Sequence, residues 1–145
     1  MRALALDLGE KRIGVAVSDE LMMTAQGLCV INSRGTEKDL AEIDRLVRDH
    51  QITLVVIGLP RNMDGSYGEM STKVREFGNR LQESVPGVPV EYWDERLTTT
   101  VAQRMLIGAD LSRAKRRRVV DKVAAVLILQ GYLDCRTNRR QAEQE

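Results

Sequence analysis

Two short aliphatic runs, Ala3 to Leu8 and Ile13 to Val17, stand at the start of the chain with only Gly9-Glu10-Lys11-Arg12 between them. A connection this short is of hairpin length, whereas parallel strands need a crossover of about a dozen residues or more. The runs are therefore expected to pair antiparallel, and everything downstream has to be built onto an opening hairpin. Side chains alternate along a strand, so Ala3, Ala5 and Asp7 share one face and Leu4, Leu6 and Leu8 the other.

Further elements follow from periodicity and punctuation. Leu28 to Asn32 reads as a third strand entered through Gly27. Thr36 is a candidate N-cap with Asp39 three residues on, much like a capping box, and Leu40, Ile43 and Leu46 or Val47 mark the apolar face of the helix that follows. Thr53 to Ile57 is a β-branched strand ending at Gly58, and the Gly-, Pro-, Asn- and Asp-rich segment Leu59 to Gly68 is a loop. A second amphipathic helix runs from Glu69 to Ser84, its face formed by Met70, Val74, Phe77 and Leu81, and stops at Pro86-Gly87. Val88 to Trp93 is a fifth strand. Thr98 caps a short helix carrying Val101, Met105 and Leu106, ended by Gly108, and a final helix spans Ser112 to Asp134.

The resulting order, β-β-β-α-β-α-β-α-α, implies an α/β fold with a mixed five-stranded sheet flanked by helices. Its 145 residues fit one domain, read as residues 1–135 with a polar C-terminal tail at 136–145 that is expected to fray. Aromatic residues make up only 3%, so the core must be aliphatic and a base-stacking platform is not the main binding device. Cys29 and Cys135 lie far apart, at no metal-binding spacing, and read as reduced thiols. The start of the chain is strand-like rather than a basic leader and no apolar run is of membrane-spanning length, so a cytoplasmic protein is expected.

Three acids sit where an acid needs a reason. Asp7 lies near the end of an otherwise Ala/Leu strand, where a carboxylate costs free energy unless exposed, paired or metal-bound; an Asp capping the next turn explains it equally well. Glu95 follows the fifth strand directly beside Asp94; being adjacent, only one of the two should face Asp7, and a salt bridge to Arg96 or a helix cap is the alternative use. Asp121 stands at the entrance of the helix face carrying Ala125, Ile128 and Tyr132, its competing explanation being an ion pair with Arg117 or Arg118. Three carboxylates with a single histidine (His50, read as structural) suit hard cations, Mg²⁺ or Mn²⁺, rather than Zn²⁺. Two such ions can activate a water and stabilise the leaving oxygen of a phosphodiester.

Net charge is only +1, but Arg113 to Lys122 contains six basic residues and one acid. Lys115, Arg118 and Lys122 share a helix face, and Lys11 and Arg12 lie in the hairpin turn near Asp7. These five are the candidate nucleic-acid contacts, a solvated helix face being the plain alternative for the cluster.

Four motifs in order then resemble one family: Asp7-Leu-Gly-Glu-Lys-Arg-Ile-Gly-Val-Ala-Val-Ser-Asp19; Gly58-Leu-Pro60 with Asp64-Gly65; Asp94-Glu-Arg-Leu-Thr98; and Asp121-Lys-Val-Ala-Ala125 leading into Ile128-Leu-Gln130. Over nearly its whole length the chain resembles the bacterial pre-16S ribosomal RNA nucleases, also described as Holliday-junction-resolvase-like proteins. The resemblance implies a ribonuclease-H-like fold and a divalent-metal nuclease that processes the precursor 5′ end of small-subunit ribosomal RNA. By motif, it makes Asp7 the central ligand bridging two metals, Glu95 the strand-end ligand and Asp121 the helix ligand. Junction-resolving relatives carry two acids three apart in the last helix, whereas Arg118 and Ala124 stand at those distances from Asp121 here.

The alternatives are a DNA junction or branch resolvase, a non-catalytic RNA-binding adaptor, and an ATP-binding domain of the actin and sugar-kinase type. The last matches Asp7 to Gly14 superficially but needs two domains, for which this chain has no room. The expected partner is nucleic acid, precursor rRNA before structured DNA. A monomer is expected over a dimer, since cutting one strand does not need the two-fold symmetry of a resolvase.

Overall fold

The computed structural model describes the backbone of residues 1–60, 68–95 and 113–144, and within the last stretch the side chains of 122–143. Five strands, β1 (Ala3–Leu8), β2 (Arg12–Ser18), β3 (Ala25–Asn32), β4 (Leu54–Leu59) and β5 (Val90–Asp94), form one sheet in the order β3-β2-β1-β4-β5. The opening hairpin is antiparallel, with Asp7 opposite Gly14, and β3 pairs antiparallel to β2. β4 and β5 are added parallel to β1 through the crossover helices α1 (Thr36–Asp49) and α2 (Glu69–Ser84). A third described helix, α3 (Arg113–Gln144), packs on the opposite face.

The alternation expected for β1 sorts its side chains between two cores. Leu4 and Leu6 join Ile13, Val15, Val55 and Ile57 under α1 and α2. Ala3, Ala5, Ala16 and Val56 lie under α3, against Ala125, Ile128, Leu129 and Leu133. Small residues on the α3 side let that helix sit close, and Ala124 and Ala125 answer them from the helix.

Several boundaries and faces differ from the expected ones. β3 starts at Ala25 rather than at Leu28: Gly27 lies within the strand opposite Ala16, at a register irregularity, and the aliphatic stem of Lys122 lies over it. Thr36 is the first helical residue of α1, and Gly35 (φ 108°) is its N-cap. Asp39 instead turns back before the helix, accepting bonds from the Ser33 hydroxyl (2.6 Å) and the Arg34 amide (3.0 Å). The buried face of α2 is rotated from the expected one. Ser71, Val74, Gly78 and Leu81 are buried, while Met70 and Phe77 are half-exposed. The Ser71 hydroxyl donates to the Pro60 carbonyl, and the Tyr92 hydroxyl occupies the space beside Gly78. β4 does not end at Gly58 but continues through it to Leu59.

The final helix continues past Asp134 to Gln144, where the tail was expected to fray. No Gly or Pro interrupts residues 136–144, and Arg, Gln, Ala and Glu favour helix. The expected helix from Thr98 to Gly108 and most of the loop Leu59 to Gly68 lie outside the described residues. No helix among the described residues is long and apolar enough to cross a membrane.

Candidate active site at the carboxyl ends of β1 and β5

Because β1, β4 and β5 run parallel, their carboxyl ends meet at one end of the sheet, the place where α/β sheets collect ligands. Asp7 is the penultimate residue of β1. Glu95 follows β5, and its N–H still bonds the Leu59 carbonyl at 3.2 Å, so the strand geometry carries through to it. Trp93 packs in the α3-side core, and two residues on Glu95 faces the same way, as Asp7 does from β1.

The two side chains meet: the Glu95 carboxyl is hydrogen-bonded to Asp7. Asp94, adjacent in sequence, acts on Glu95 through its charge. Gly58 makes the meeting possible. A Cβ at that position would stand 2.5 Å from Glu95 Cδ and 2.6 Å from Ile128 Cδ1, so only a glycine leaves room for the carboxylate above the sheet. In the sequence Gly58 reads as a strand terminus; its use as a floor for Glu95 went unread, and a glycine within a β-branched run was the available signal.

Burial in the first place, then the hydrogen bond to Asp7, then the charges of Asp7 and Asp94, push the Glu95 carboxyl well above the usual carboxylate range. Without a cation, two such acids at hydrogen-bond distance must share a proton. Glu95 Oε1 is buried and has no hydrogen-bond partner among the described residues. A buried carboxylate oxygen left over beside a second acid has the chemistry of half a hard-cation site: oxygen donors only, excess negative charge and an unmet acceptor. The residues present therefore fit Mg²⁺ or Mn²⁺. Among the described residues no three potential ligands stand together, and the side chain of Asp121 lies outside the described set.

The expected basic contacts divide. Lys11 is exposed at the tip of the β1–β2 hairpin, where its carbonyl accepts the Ser33 amide at 2.9 Å, and Arg12, half-buried, opens β2. Both lie on the connection that leaves Asp7. Lys122 is exposed over Gly27 on the edge strand β3. The side chains of Lys115 and Arg118 lie outside the described residues.

A mixed sheet opened by an antiparallel hairpin, extended by parallel strands and carrying paired acids at its carboxyl end is a ribonuclease-H-like nuclease architecture. The fold has the same layout as Thermus thermophilus RuvC (TM-score 0.57, 12% identity, covering 95% of this chain and 97% of that one). It also matches the fowlpox virus Holliday junction resolvase (TM-score 0.55, 13% identity, covering 93% and 99%). The chain belongs to the RuvX family, described as Holliday junction resolvase, whose model matches residues 1–135. It is 54% identical to a protein of Symbiobacterium thermophilum over 96% of both chains, and 54% identical to one of Moorella thermoacetica over 92% of this chain and 95% of that one. Both carry the name "Putative pre-16S rRNA nuclease". The chain is thus a nuclease by family.

Proposed function

We propose that this chain is a divalent-metal-dependent nuclease that matures the 5′ end of precursor 16S rRNA, acting in the cytoplasm as a monomer, with Asp7, Glu95 and Asp121 as its catalytic and metal-holding residues. The observation that carries the site is the buried, unpartnered Oε1 of Glu95 beside Asp7. When bound, one or two Mg²⁺ or Mn²⁺ ions would supply water activation and stabilise charge on the leaving oxygen.

The chain's own residues do the rest. Gly58 and Ile128 fix the Glu95 carboxylate against the sheet, and β1 fixes Asp7, so the two ligands are held by strands rather than loops. Ionising both acids releases the proton that they share. Lys11 and Arg12 at the hairpin, with Lys115, Arg118 and Lys122 on α3, supply positive charge for the phosphate backbone. The substrate is the one in the names of the relatives. Cleavage of a four-way DNA junction is the second reading, favoured by the family's description as a resolvase.

The test offers a precursor 16S rRNA fragment and a four-way DNA junction to the protein with Mg²⁺ or Mn²⁺, alongside Asp7→Asn and Asp121→Asn. The expected result is metal-dependent cutting of the rRNA precursor, reduced about 100-fold or more in both folded variants, given that even supporting residues of metal sites cost 10–100-fold. Equal cutting by the variants would remove the site assignment. Junction cleavage alone would move the substrate to DNA. RNA binding that survives loss of the acids, with no cutting by any form, would make the chain an adaptor.

A further inference from the structure

Beyond the candidate catalytic acids, on the outer edge of the sheet, α3 and β5 line an open cavity of about 390 Å³. Its walls include Tyr92, Trp93, Tyr132, Arg136 and Arg139. The chain has five aromatic residues in all (one Trp, three Tyr, one Phe), and the rings of two of them, Trp93 and Tyr132, meet at this one place. The low aromatic content excluded a broad stacking platform; it does not exclude a single stacking site.

The cavity is built rather than incidental. The Trp93 indole lies against Gly131 of α3, where a Cβ would stand 3.1 Å from Cζ2 and 3.2 Å from Nε1. Tyr132 meets Trp93 edge-on, with ring centroids 6.3 Å apart and planes at 84°. The Tyr132 hydroxyl donates to Glu91 on β5, which fixes the ring; burial and that bond raise its pKa to about 12, against the nearby charges of Arg136 and Arg139. Both rings are only half-buried. Residues 136–140 contain three arginines and no acid, on the part of the helix that was expected to fray. Among the described residues, neither Arg136 nor Arg139 takes part in an ion pair.

Fixed aromatic faces beside uncommitted guanidinium groups are the chemistry of an unstacked nucleobase with its phosphate. Trp93 and Glu95 face the same side of β5, two residues apart, about 6.6 Å along the strand. We infer that the Trp93–Tyr132 cavity holds a single-stranded nucleotide flanking the scissile bond, its base against the rings and its phosphate on Arg136 and Arg139. This rests on the nuclease reading for the identity of the strand, but binding at the cavity is measured without catalysis.

Trp93 is the sole tryptophan, so its fluorescence reports occupancy directly. The full chain in EDTA is titrated with a single-stranded RNA oligonucleotide, following Trp93 fluorescence and, with labelled RNA, anisotropy. The inference expects saturable quenching and preference for single strands over an RNA duplex. It also expects affinity to fall about 5- to 100-fold in Tyr132→Leu, the range for loss of one stacked base, and at least about 5-fold in the pair Arg136→Ala/Arg139→Ala. Tyr132→Phe, which keeps the ring but not its bond to Glu91, should lose less affinity than Tyr132→Leu. RNA binding by anisotropy with no change in Trp93 fluorescence, equal binding of duplex, or unchanged affinity in the double-arginine variant would overturn it. Because no metal is present, a failure of the catalytic assignment leaves this measurement intact, and the reverse also holds.

Discussion

Gly58 and Glu95 occupy the same space in turn: the position a Cβ of residue 58 would take is filled by the Glu95 carboxyl, 2.5 Å from its Cδ. A small residue on β4 thus sets the position of a candidate ligand that follows β5. Gly58→Ala should push the carboxylate off the sheet and away from Asp7. Activity should fall by about 100-fold, as for a displacement of about 1 Å at a reacting centre. Stability should fall by about 1–3 kcal/mol from overpacking. Single-turnover cleavage and a denaturant melt check the two effects. Unchanged activity would mean that Glu95 does not need this position.

Asp39 is 5% exposed and holds both the Ser33 hydroxyl and the Arg34 amide where the chain passes from β3 into α1. Asp39→Ala leaves these donors unmet and should cost about 1–3 kcal/mol. Urea unfolding should show a lower midpoint with an unchanged slope. A shift below 0.5 kcal/mol, roughly the scatter of surface substitutions, would show that solvent satisfies both donors.

The Tyr92 hydroxyl fills the space beside Gly78 that lets α2 approach β5. Gly78→Ala should destabilise by about 1–3 kcal/mol by crowding that hydroxyl, and Tyr92→Phe should recover part of the loss. A double-mutant cycle is the measurement, and additive effects would show that the crowding lies elsewhere.

Asp19 Oδ1 accepts the amides of Met23 and Thr24 at 2.8 and 2.9 Å, closing the β2–β3 connection. These bonds, that of Thr24 foremost, hold its carboxyl below the ordinary value of 3.8. A folded-state pKa below the unfolded one means that the stabilisation is fully present above pH 3.8 and lost as pH falls through the lower, folded value. Asp19→Asn keeps an acceptor without the charge, so its melting temperature should depend less on pH below 4 than the wild type's. Parallel curves for the two proteins would remove Asp19 from the acid response.

Much of the fold was legible because it is written in local period. The alternation of Ala and Leu along β1 assigns Leu4 and Leu6 to one core and Ala3 and Ala5 to the other, as found. Leu40, Ile43, Leu46 and Val47 are the buried apolar residues of α1, and α2 spans Glu69–Ser84 as its period and the Pro86-Gly87 stop indicated. Two of the errors fall where a neighbour distant in sequence intervenes. Tyr92 and Pro60 rotate the buried face of α2 towards Ser71 and Gly78, and Lys122 lies across Gly27 inside β3.

The same division holds for the site. The sequence by itself determined that acids stand at the ends of two strands and within the last helix, because a carboxylate in or beside an apolar run is visible without knowing its neighbours. It could not choose between Asp94 and Glu95 on residue chemistry alone. Only the tertiary structure shows which of the two meets Asp7: β4 is paired between β1 and β5, and Gly58 is the open floor on which Glu95 reaches Asp7. Strand period states which way a side chain points; which strand lies beside it is settled by packing over the whole sheet.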